Sequence, residues 1–273
     1  MSMEPVLGSP SSGVIVTGGA SGLGRASAEA LAAVGRPVSV WDLDADKASG
    51  VAKEIGEQAI AIPTDVSDGE QVRVLVDRVL YDVGDLHVLV NNAAFNHRGE
   101  LIEGDPAALA HIVDVNLKAP ILLTRAFLPH LVKHAKANVV NVASIAGQIP
   151  LPGEATYCAT KFGLRGFSMS IAEELRETSV RVSLVSPGPI DTGFLTDDID
   201  AVPDLVFSQP MSSAEEVARA VLDCAHDGRL ERTLPRLSGT LATAGYLMPD
   251  LPRLLRPILE LQGRRAKAKY RKN

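Results

Sequence analysis

The chain has 273 residues, a hydrophobic content of 46% and a formal net charge of −6 at pH 7. This length and apolar content fit one large domain with a buried core, and the acidic balance argues against nucleic acid as a partner. Cys158 and Cys224 lie too far apart for a metal or redox motif, so we predict reduced thiols in a cytoplasmic protein.

Residues 1–12 contain neither a basic segment nor a long apolar run, so we expect a disordered N-terminus and no signal peptide. The sequence contains no stretch of 18 uncharged apolar residues, so we expect no membrane-spanning helix. From residue 13, short apolar runs alternate with longer helical patterns, which predicts parallel βαβ units. The predicted strands are residues 14–17, 37–41, 59–62, 86–90, 139–142, 180–185 and, at an edge, 230–234. The first predicted helix follows the glycine-rich turn and ends at about residue 34, and the helix that carries Tyr157 ends at about residue 176. The other predicted helices are residues 46–55, 68–83, about 107–134 and 213–227, the last with a capping-box-like start.

A glycine-rich turn, TGGASGLG, follows the first predicted strand at residues 17–24. Glycines at 18, 22 and 24 permit a tight turn and close approach of the backbone to a pyrophosphate, which the next helix can bind through its N-terminal N–H groups. Asp42 ends the second strand, where a carboxylate accepts hydrogen bonds from ribose hydroxyls and repels a 2′-phosphate. Leu43 rather than a basic residue follows it, so the sequence favours NAD(H) over NADP(H), with Arg25 and Arg36 as the opposing signals.

The sequence YCATK at residues 157–161 places Tyr157 and Lys161 one turn apart on the same helix face. A phenol has an unperturbed pKa of roughly 10, and a nearby ammonium lowers that pKa by stabilising the phenolate. Tyr157 is therefore a candidate general acid/base. Ser144 follows an apolar run, where its hydroxyl can polarise a substrate carbonyl. Such a Tyr–Lys pair also occurs on solvated helix faces, so its meaning depends on the other motifs.

Over about residues 13–235, the chain resembles the short-chain dehydrogenase/reductase family. The motifs that carry the resemblance are the glycine turn, Asp65-Val66, NNAA at 91–94, Asn116, Ser144, Tyr157, Lys161 and PGPIDT at 187–192. The resemblance implies an α/β fold with one doubly wound, seven-stranded parallel sheet (Rossmann fold), in strand order 3-2-1-4-5-6-7, over residues 13–236. Residues 237–273 would form a C-terminal helical and basic extension.

The resemblance also implies the site. The implied catalytic residues are Asn116, Ser144, Tyr157 and Lys161. The implied cofactor-binding residues are Gly18, Ser21, Gly22, Leu23, Gly24, Asp42, Leu43, Asp65, Val66, Asn91, Ala93, Tyr157, Lys161, Pro187, Ile190 and Thr192. Asn116 would distort its helix and hold a water, and Asn91 would line the cofactor while steadying the fourth strand. Arg98 and Glu154 are candidates for the rim of the site.

No metal site is expected, because His130 and His134 lie one helical turn apart without an evident third ligand. The favoured function is an NAD(H)-dependent oxidoreductase that interconverts an alcohol and a ketone. The resemblance implies that residues 193–211 cover the substrate. This segment and the run after Ser144, residues 145–152, are rich in apolar side chains, which indicates a hydrophobic small-molecule substrate. The alternatives are a 3-oxoacyl-thioester reductase and, from another class, a non-catalytic NAD(H) sensor. The resemblance implies a homodimer or homotetramer formed through the helices that carry Asn116 and Tyr157.

Residues 252–273 carry eight Lys or Arg and one Glu, a local charge of about +7. One interpretation of this tail is an amphipathic element that contacts an anionic membrane surface. A second is that its apolar part caps the substrate pocket or a neighbouring subunit. A third is a packed helix followed by a frayed, solvated end. We therefore expect a cytoplasmic protein, with peripheral membrane contact as an open alternative.

Overall fold

The computed structural model describes residues 12–83, 85–197, 199–236, 238–240, 242 and 250–270. Seven parallel strands form one sheet in the order β3-β2-β1-β4-β5-β6-β7, which confirms the predicted doubly wound Rossmann topology. The strands are β1 Gly13–Thr17, β2 Val38–Asp42, β3 Ala59–Pro63, β4 Leu86–Asn91, β5 Ala137–Val142, β6 Val180–Pro187 and β7 Glu231–Leu234. The disorder predicted for the N-terminus lies outside the described residues, apart from Ser12, which is buried.

Helices cover both faces of the sheet. They are α1 Gly22–Ala33, α2 Ala45–Ile55, α3 Gly69–Val83, α4 Pro106–Val113, α5 Ala119–Leu131, α6 Ala155–Glu174, α7 Gly193–Thr196, α8 Ala214–Asp227 and α9 Asp250–Tyr270. Helices α1, α2 and α8 share one buried cluster with the strand valines, and α3, α5 and α6 share the other. The five inner strands, β1, β2, β4, β5 and β6, are buried on both faces, which explains their largely apolar sequences. The edge strands β3 and β7 are mostly only half-buried.

The long helix predicted over residues 107–134 is interrupted. Its α-helical parts, α4 and α5, are joined by a π-helical stretch, Asp114–Lys118, and α5 ends at Leu131. By length and composition alone, residues 106–131 would also suit a membrane span. Leu123, Phe127 and Leu131 are buried against the sheet, so core packing accounts for this apolar composition.

The start of α8 confirms the predicted capping box. The Ser213 hydroxyl accepts a hydrogen bond from the backbone N–H of Glu216, and the Glu216 carboxylate accepts one from the N–H of Ser213. These bonds satisfy N–H groups that the first helical turn would otherwise leave unpaired. The following strand, β7, lies at the edge of the sheet, as predicted.

The C-terminal extension forms a helix that packs on the segment before α8. We call residues 193–197 and 199–209 the lid segment. Lys267 of α9 is buried and donates hydrogen bonds to the backbone oxygens of Asp200 at 3.1 Å and Val202 at 2.6 Å. A Cβ on Gly263 would lie 1.8 Å from the Asp204 carbonyl oxygen, so only glycine permits this contact between helix and lid.

These contacts concern the second and third interpretations of the tail, the pocket cap and the frayed end. The basic part continues the helix to Tyr270, whose ring lies 6.0 Å from that of Phe207, so the frayed end predicted for it is wrong up to Tyr270. The contacts with the lid segment come from the basic half of α9, and capping of the substrate pocket or of a neighbouring subunit by the apolar half stays a prediction. Leu254, Ile258 and Leu261 of the apolar half are exposed on the opposite face of α9.

Candidate active site

A cleft of about 560 Å³ opens at the carboxyl ends of the strands. In a doubly wound sheet this edge holds the ligand, because strand order reverses there and leaves a crevice. The predicted site residues that line the cleft are Gly18, Ser21, Gly22, Leu23, Gly24, Asp42, Leu43, Asp65, Val66, Ala93, Ser144, Tyr157, Lys161, Pro187, Ile190 and Thr192. The fold therefore brings motifs from nearly the whole of residues 17–192 to one surface.

The glycine turn has a backbone that other residues would disrupt. Gly18 and Gly22 have φ values of +62° and +49°, in the left-handed region that favours glycine. A Cβ on Gly24 would lie 1.8 Å from the Gly18 carbonyl oxygen, so α1 can begin against the turn only with glycine at this position. Ser21 caps α1 without a side-chain hydrogen bond. The first N–H groups of α1 consequently remain available for an anion, and this cradle fits the diphosphate of a dinucleotide.

Asp42 is fixed at the cleft by two backbone N–H groups. Its Oδ2 accepts from Ala20 at 3.0 Å, and its Oδ1 accepts from Asp44 at 3.1 Å. A carboxylate has about four acceptor sites. The side chain can therefore hold the glycine turn and still accept hydrogen bonds from a ribose.

The basic residues that opposed an NAD(H) preference lie away from the cleft lining. Arg25 forms surface ion pairs with Glu29 and Glu54, and Arg36 is buried. Lys47, which belongs to none of the sequence motifs, lines the cleft and forms an ion pair of 2.8 Å with Asp44.

The prediction for Asn91 is wrong in one respect. Its Nδ2 donates to Asn141 Oδ1 at 2.8 Å, which steadies β4 against β5 as predicted, but the side chain does not line the cleft. Asn92 lines it instead, and its amide donates to the carbonyl oxygens of Thr17 at 3.0 Å and Gly18 at 3.1 Å. Successive side chains at a strand end point in opposite directions, so two adjacent asparagines do not reveal which one faces the ligand.

Asn116 lies in the π-helical stretch, so its helix is distorted as predicted. Its Oδ1 accepts from the Phe95 N–H and its Nδ2 donates to the Phe95 carbonyl, both at 2.8 Å. A weaker contact of 3.4 Å joins Nδ2 to Thr160 on α6. Asn116 thus fixes the loop after β4 from behind the cleft rather than lining it. The water assigned to Asn116 stays a prediction.

Ser144, Tyr157 and Lys161 form one polar group in the cleft wall. The Ser144 hydroxyl donates to the Pro187 carbonyl oxygen at 3.4 Å. Lys161 is buried, and its ammonium donates to the Val142 carbonyl at 3.0 Å and lies 5.5 Å from the centroid of the Tyr157 ring. Strand β5 delivers the serine and α6 delivers the other two, so the packing of α6 on the sheet sets their geometry.

The electrostatics differ from the sequence expectation. Burial raises the pKa of Tyr157 well above 10, the Glu154 carboxylate raises it further, and the Ser144 hydroxyl and Arg98 oppose this. Burial lowers the pKa of Lys161 to about 8. The expectation that Lys161 brings the Tyr157 pKa down is therefore not met by the protein's own groups, because desolvation of the phenolate outweighs them.

Near Tyr157, the cleft is lined by apolar side chains and by a buried ion pair. The apolar lining residues there are Phe95, Ile149, Leu151, Phe194, Leu195 and Val206. Arg98 and Glu154, predicted for the rim, also line it and form an ion pair of 3.0 Å, with side chains only 9% and 5% exposed. Ile149 and Leu151 belong to the apolar run after Ser144, as predicted. No local pattern marks Phe95 in the sequence, because the loop after β4 brings it to the cleft from a distant part of the chain.

Comparison with known proteins identifies the family. The model of the short chain dehydrogenases matches residues 12–202. A 3-oxoacyl-[acyl-carrier-protein] reductase from Synechocystis sp. is 34% identical over 220 residues, covering 78% of this chain and 88% of the relative. A 2,5-dichloro-2,5-cyclohexadiene-1,4-diol dehydrogenase from Sphingobium indicum is 36% identical over 181 residues, covering 65% of this chain and 72% of the relative.

The fold is similar to that of a short chain dehydrogenase/reductase from Burkholderia phymatum, solved in complex with NAD. The TM-score is 0.79 and the identity 26%, with 88% of this chain and 94% of that chain covered. Family model, relatives and fold agree with the motifs that meet in the cleft. This protein belongs to the short-chain dehydrogenase/reductase family of oxidoreductases.

Proposed function

We propose that the protein is an NAD(H)-dependent oxidoreductase that interconverts an alcohol and a ketone, with Tyr157 as the general acid/base. The observation that carries the proposal is that Ser144, Tyr157 and Lys161 line the same cleft as the glycine turn. A proton-transferring group thus lies in one cavity with a dinucleotide cradle. A bound nicotinamide supplies or accepts the hydride at the substrate carbon.

The chain's own residues divide the remaining work. Ser144 holds the substrate oxygen by a hydrogen bond, and Tyr157 gives its proton to that oxygen in reduction or takes it in oxidation. Lys161, whose ammonium is fixed by the Val142 carbonyl, would hold a ribose of the bound dinucleotide. Asn116 keeps the loop after β4 in place through Phe95.

Preference for NAD(H) rests on Asp42. Its carboxylate is fixed at the cleft, where it accepts from ribose hydroxyls and repels a 2′-phosphate. Replacement by Ser keeps a small polar side chain without the charge. Asp42→Ser should raise the ratio of kcat/KM for NADPH to that for NADH roughly tenfold or more. An unchanged ratio would refute the role of Asp42. The matched control is Asp46→Ser, because Asp46 is exposed on α2.

The apolar end of the cleft supports a hydrophobic substrate. The alternative, a 3-oxoacyl-thioester reductase, is supported by the Synechocystis relative. Oxidation of NADH followed with a panel of apolar ketones and a panel of 3-oxoacyl thioesters separates the two by their kcat/KM. Binding of NADH without turnover on either panel would instead favour the sensor alternative.

Assembly into a dimer or tetramer is supported by the outer faces of α5 and α6. Leu122, Phe162 and Met169 are 36–40% exposed there, and they are large apolar side chains that a partner would cover. Light scattering on the purified protein should give a mass of two or four chains. A monomer at micromolar concentration would contradict this.

For a cytoplasmic protein with peripheral membrane contact, α9 supports the membrane contact. Leu254, Ile258 and Leu261 are exposed on its outward face, and Arg265 follows on the same side. Sedimentation with anionic vesicles should be lost when these three apolar residues are replaced by Ser. Val74→Ser, at an equally exposed position on α3, is the control, and equal sedimentation of both variants would refute the contact.

A further inference from the structure

The substrate end of the cleft contains one buried ion pair with unusual connections. Arg98 Nε donates to Glu154 Oε1 at 3.0 Å, and both side chains are at least nine-tenths buried. Glu154 is the residue that precedes α6, three positions before Tyr157. Buried ion pairs contribute little to folding stability, because the free energy needed to remove both charges from water can exceed the attraction between them. The pair therefore calls for an explanation beyond stability.

Arg98 also reaches the lid segment. Its Nη2 donates to the Phe194 carbonyl oxygen at 3.1 Å, and its guanidinium carbon lies 5.5 Å from the centroid of the Phe194 ring. That ring lies 6.1 Å from the ring of Tyr157. One guanidinium thus joins the start of α6, the first turn of the lid segment and the surroundings of the catalytic phenol.

The charged and titratable groups around Tyr157 come from three elements. Glu154, Cys158 and Lys161 belong to α6 or its start, Arg98 belongs to the loop after β4, and His111 of α4 lines the same cavity. Glu154 and Arg98 act on the phenol with opposite signs. Since they are paired, each largely offsets the other, and the balance depends on Arg98 staying in place.

We propose that Arg98 and Glu154 are positioning residues that form a latch: they fasten the lid segment over the substrate and set the charge balance around Tyr157 during proton transfer. This rests on the proposed function, since it assumes that Tyr157 transfers the proton. The latch also places a neutral pair, rather than a free charge, beside the substrate. It therefore favours an uncharged substrate over one with a carboxylate at that end.

The test compares Arg98→Gln, Glu154→Gln and the double variant with the wild type. The pH dependence of kcat/KM for alcohol oxidation is measured, together with the near-ultraviolet titration of tyrosinate in the NAD⁺-loaded enzyme. The same titration in Tyr157→Phe isolates the signal of Tyr157. Glu154→Gln leaves an unbalanced cation and should move the Tyr157 transition to lower pH, and Arg98→Gln leaves an anion and should move it to higher pH. Each shift should be about half a pH unit or more, and the double variant should return close to the wild type.

Arg98→Lys separates the two functions of the latch. It keeps the charge but loses the forked geometry that reaches both Glu154 and Phe194. Its pH profile should match that of the wild type, while KM rises and kcat changes less.

A purely structural pair gives a different pattern. It predicts losses of stability with no opposite shifts, and this result would overturn the latch. Full activity of Tyr157→Phe would instead overturn the proposed function. The tyrosinate titration still reports on the latch in that case, because it needs no turnover.

Discussion

Replacement of Lys267 by Met should loosen α9 and the lid segment together. Lys267 is 8% exposed, and its ammonium donates to two lid carbonyls and lies 3.7 Å from the carboxylate of Asp204. Met keeps most of the apolar stem and removes the donors. Each hydrogen bond from a charged group contributes about 1.5–3 kcal/mol. The loss of both bonds should therefore make the local opening of α9 easier by about 3–6 kcal/mol, or roughly 10²- to 10⁴-fold.

Hydrogen exchange followed by mass spectrometry measures this opening. In Lys267→Met, amides of residues 254–270 and 199–208 should exchange faster together, while those of the central strands stay unchanged. Lys269→Met is the matched control, because that side chain is exposed on the same helix. Equal exchange in the two variants, or faster exchange in α9 without faster exchange in the lid segment, would refute the coupling of these two elements through Lys267.

Two further predictions concern the cleft. Gly24→Ala should weaken NADH binding roughly tenfold or more, because a Cβ there would lie 1.8 Å from the Gly18 carbonyl oxygen. Calorimetric titration measures the affinity, and Gly50→Ala is the control because a Cβ there meets open space. Equal affinities of the two variants for NADH would contradict the prediction. Lys161→Met should stabilise the protein more at pH 7 than at pH 10. Burial lowers the pKa of Lys161 from 10.5 to about 8, so between these values the unfolded chain binds more protons and the wild type gains stability as pH rises. Thermal unfolding at both pH values checks this, and a difference that is constant or grows with pH would contradict it.

Local patterns predicted the strands, the glycine turn and the Tyr157–Lys161 pair, whereas the strand order and most of the cleft residues came from the resemblance to the family. The inner strands are apolar runs because both of their faces are buried. Gly24 and Asp42 lie at positions where the fold leaves few other choices. The choice between Asn91 and Asn92 depended on the direction of side chains at the end of β4, which adjacent identical residues do not show.

Contacts between distant residues were less accessible to prediction. Charge composition of the tail gave no sign that Lys267 is buried on the lid segment. Likewise, the spacing of Tyr157 and Lys161 indicated an ammonium near a phenol but not the desolvation that dominates the pKa of Tyr157. Burial depends on the whole fold, so a motif alone does not determine the sign of such a shift.

The central claim is that Tyr157 transfers the proton beside a bound dinucleotide. The most direct test measures kcat/KM for reduction of the best ketone, and the dissociation constant of NADH by fluorescence, in Tyr157→Phe. Tyr81→Phe is the control, because Tyr81 is 88% exposed on α3. We predict a loss of roughly 10²–10⁴-fold in kcat/KM for Tyr157→Phe, with NADH affinity nearly unchanged and with Tyr81→Phe fully active. Wild-type turnover by Tyr157→Phe would contradict the claim.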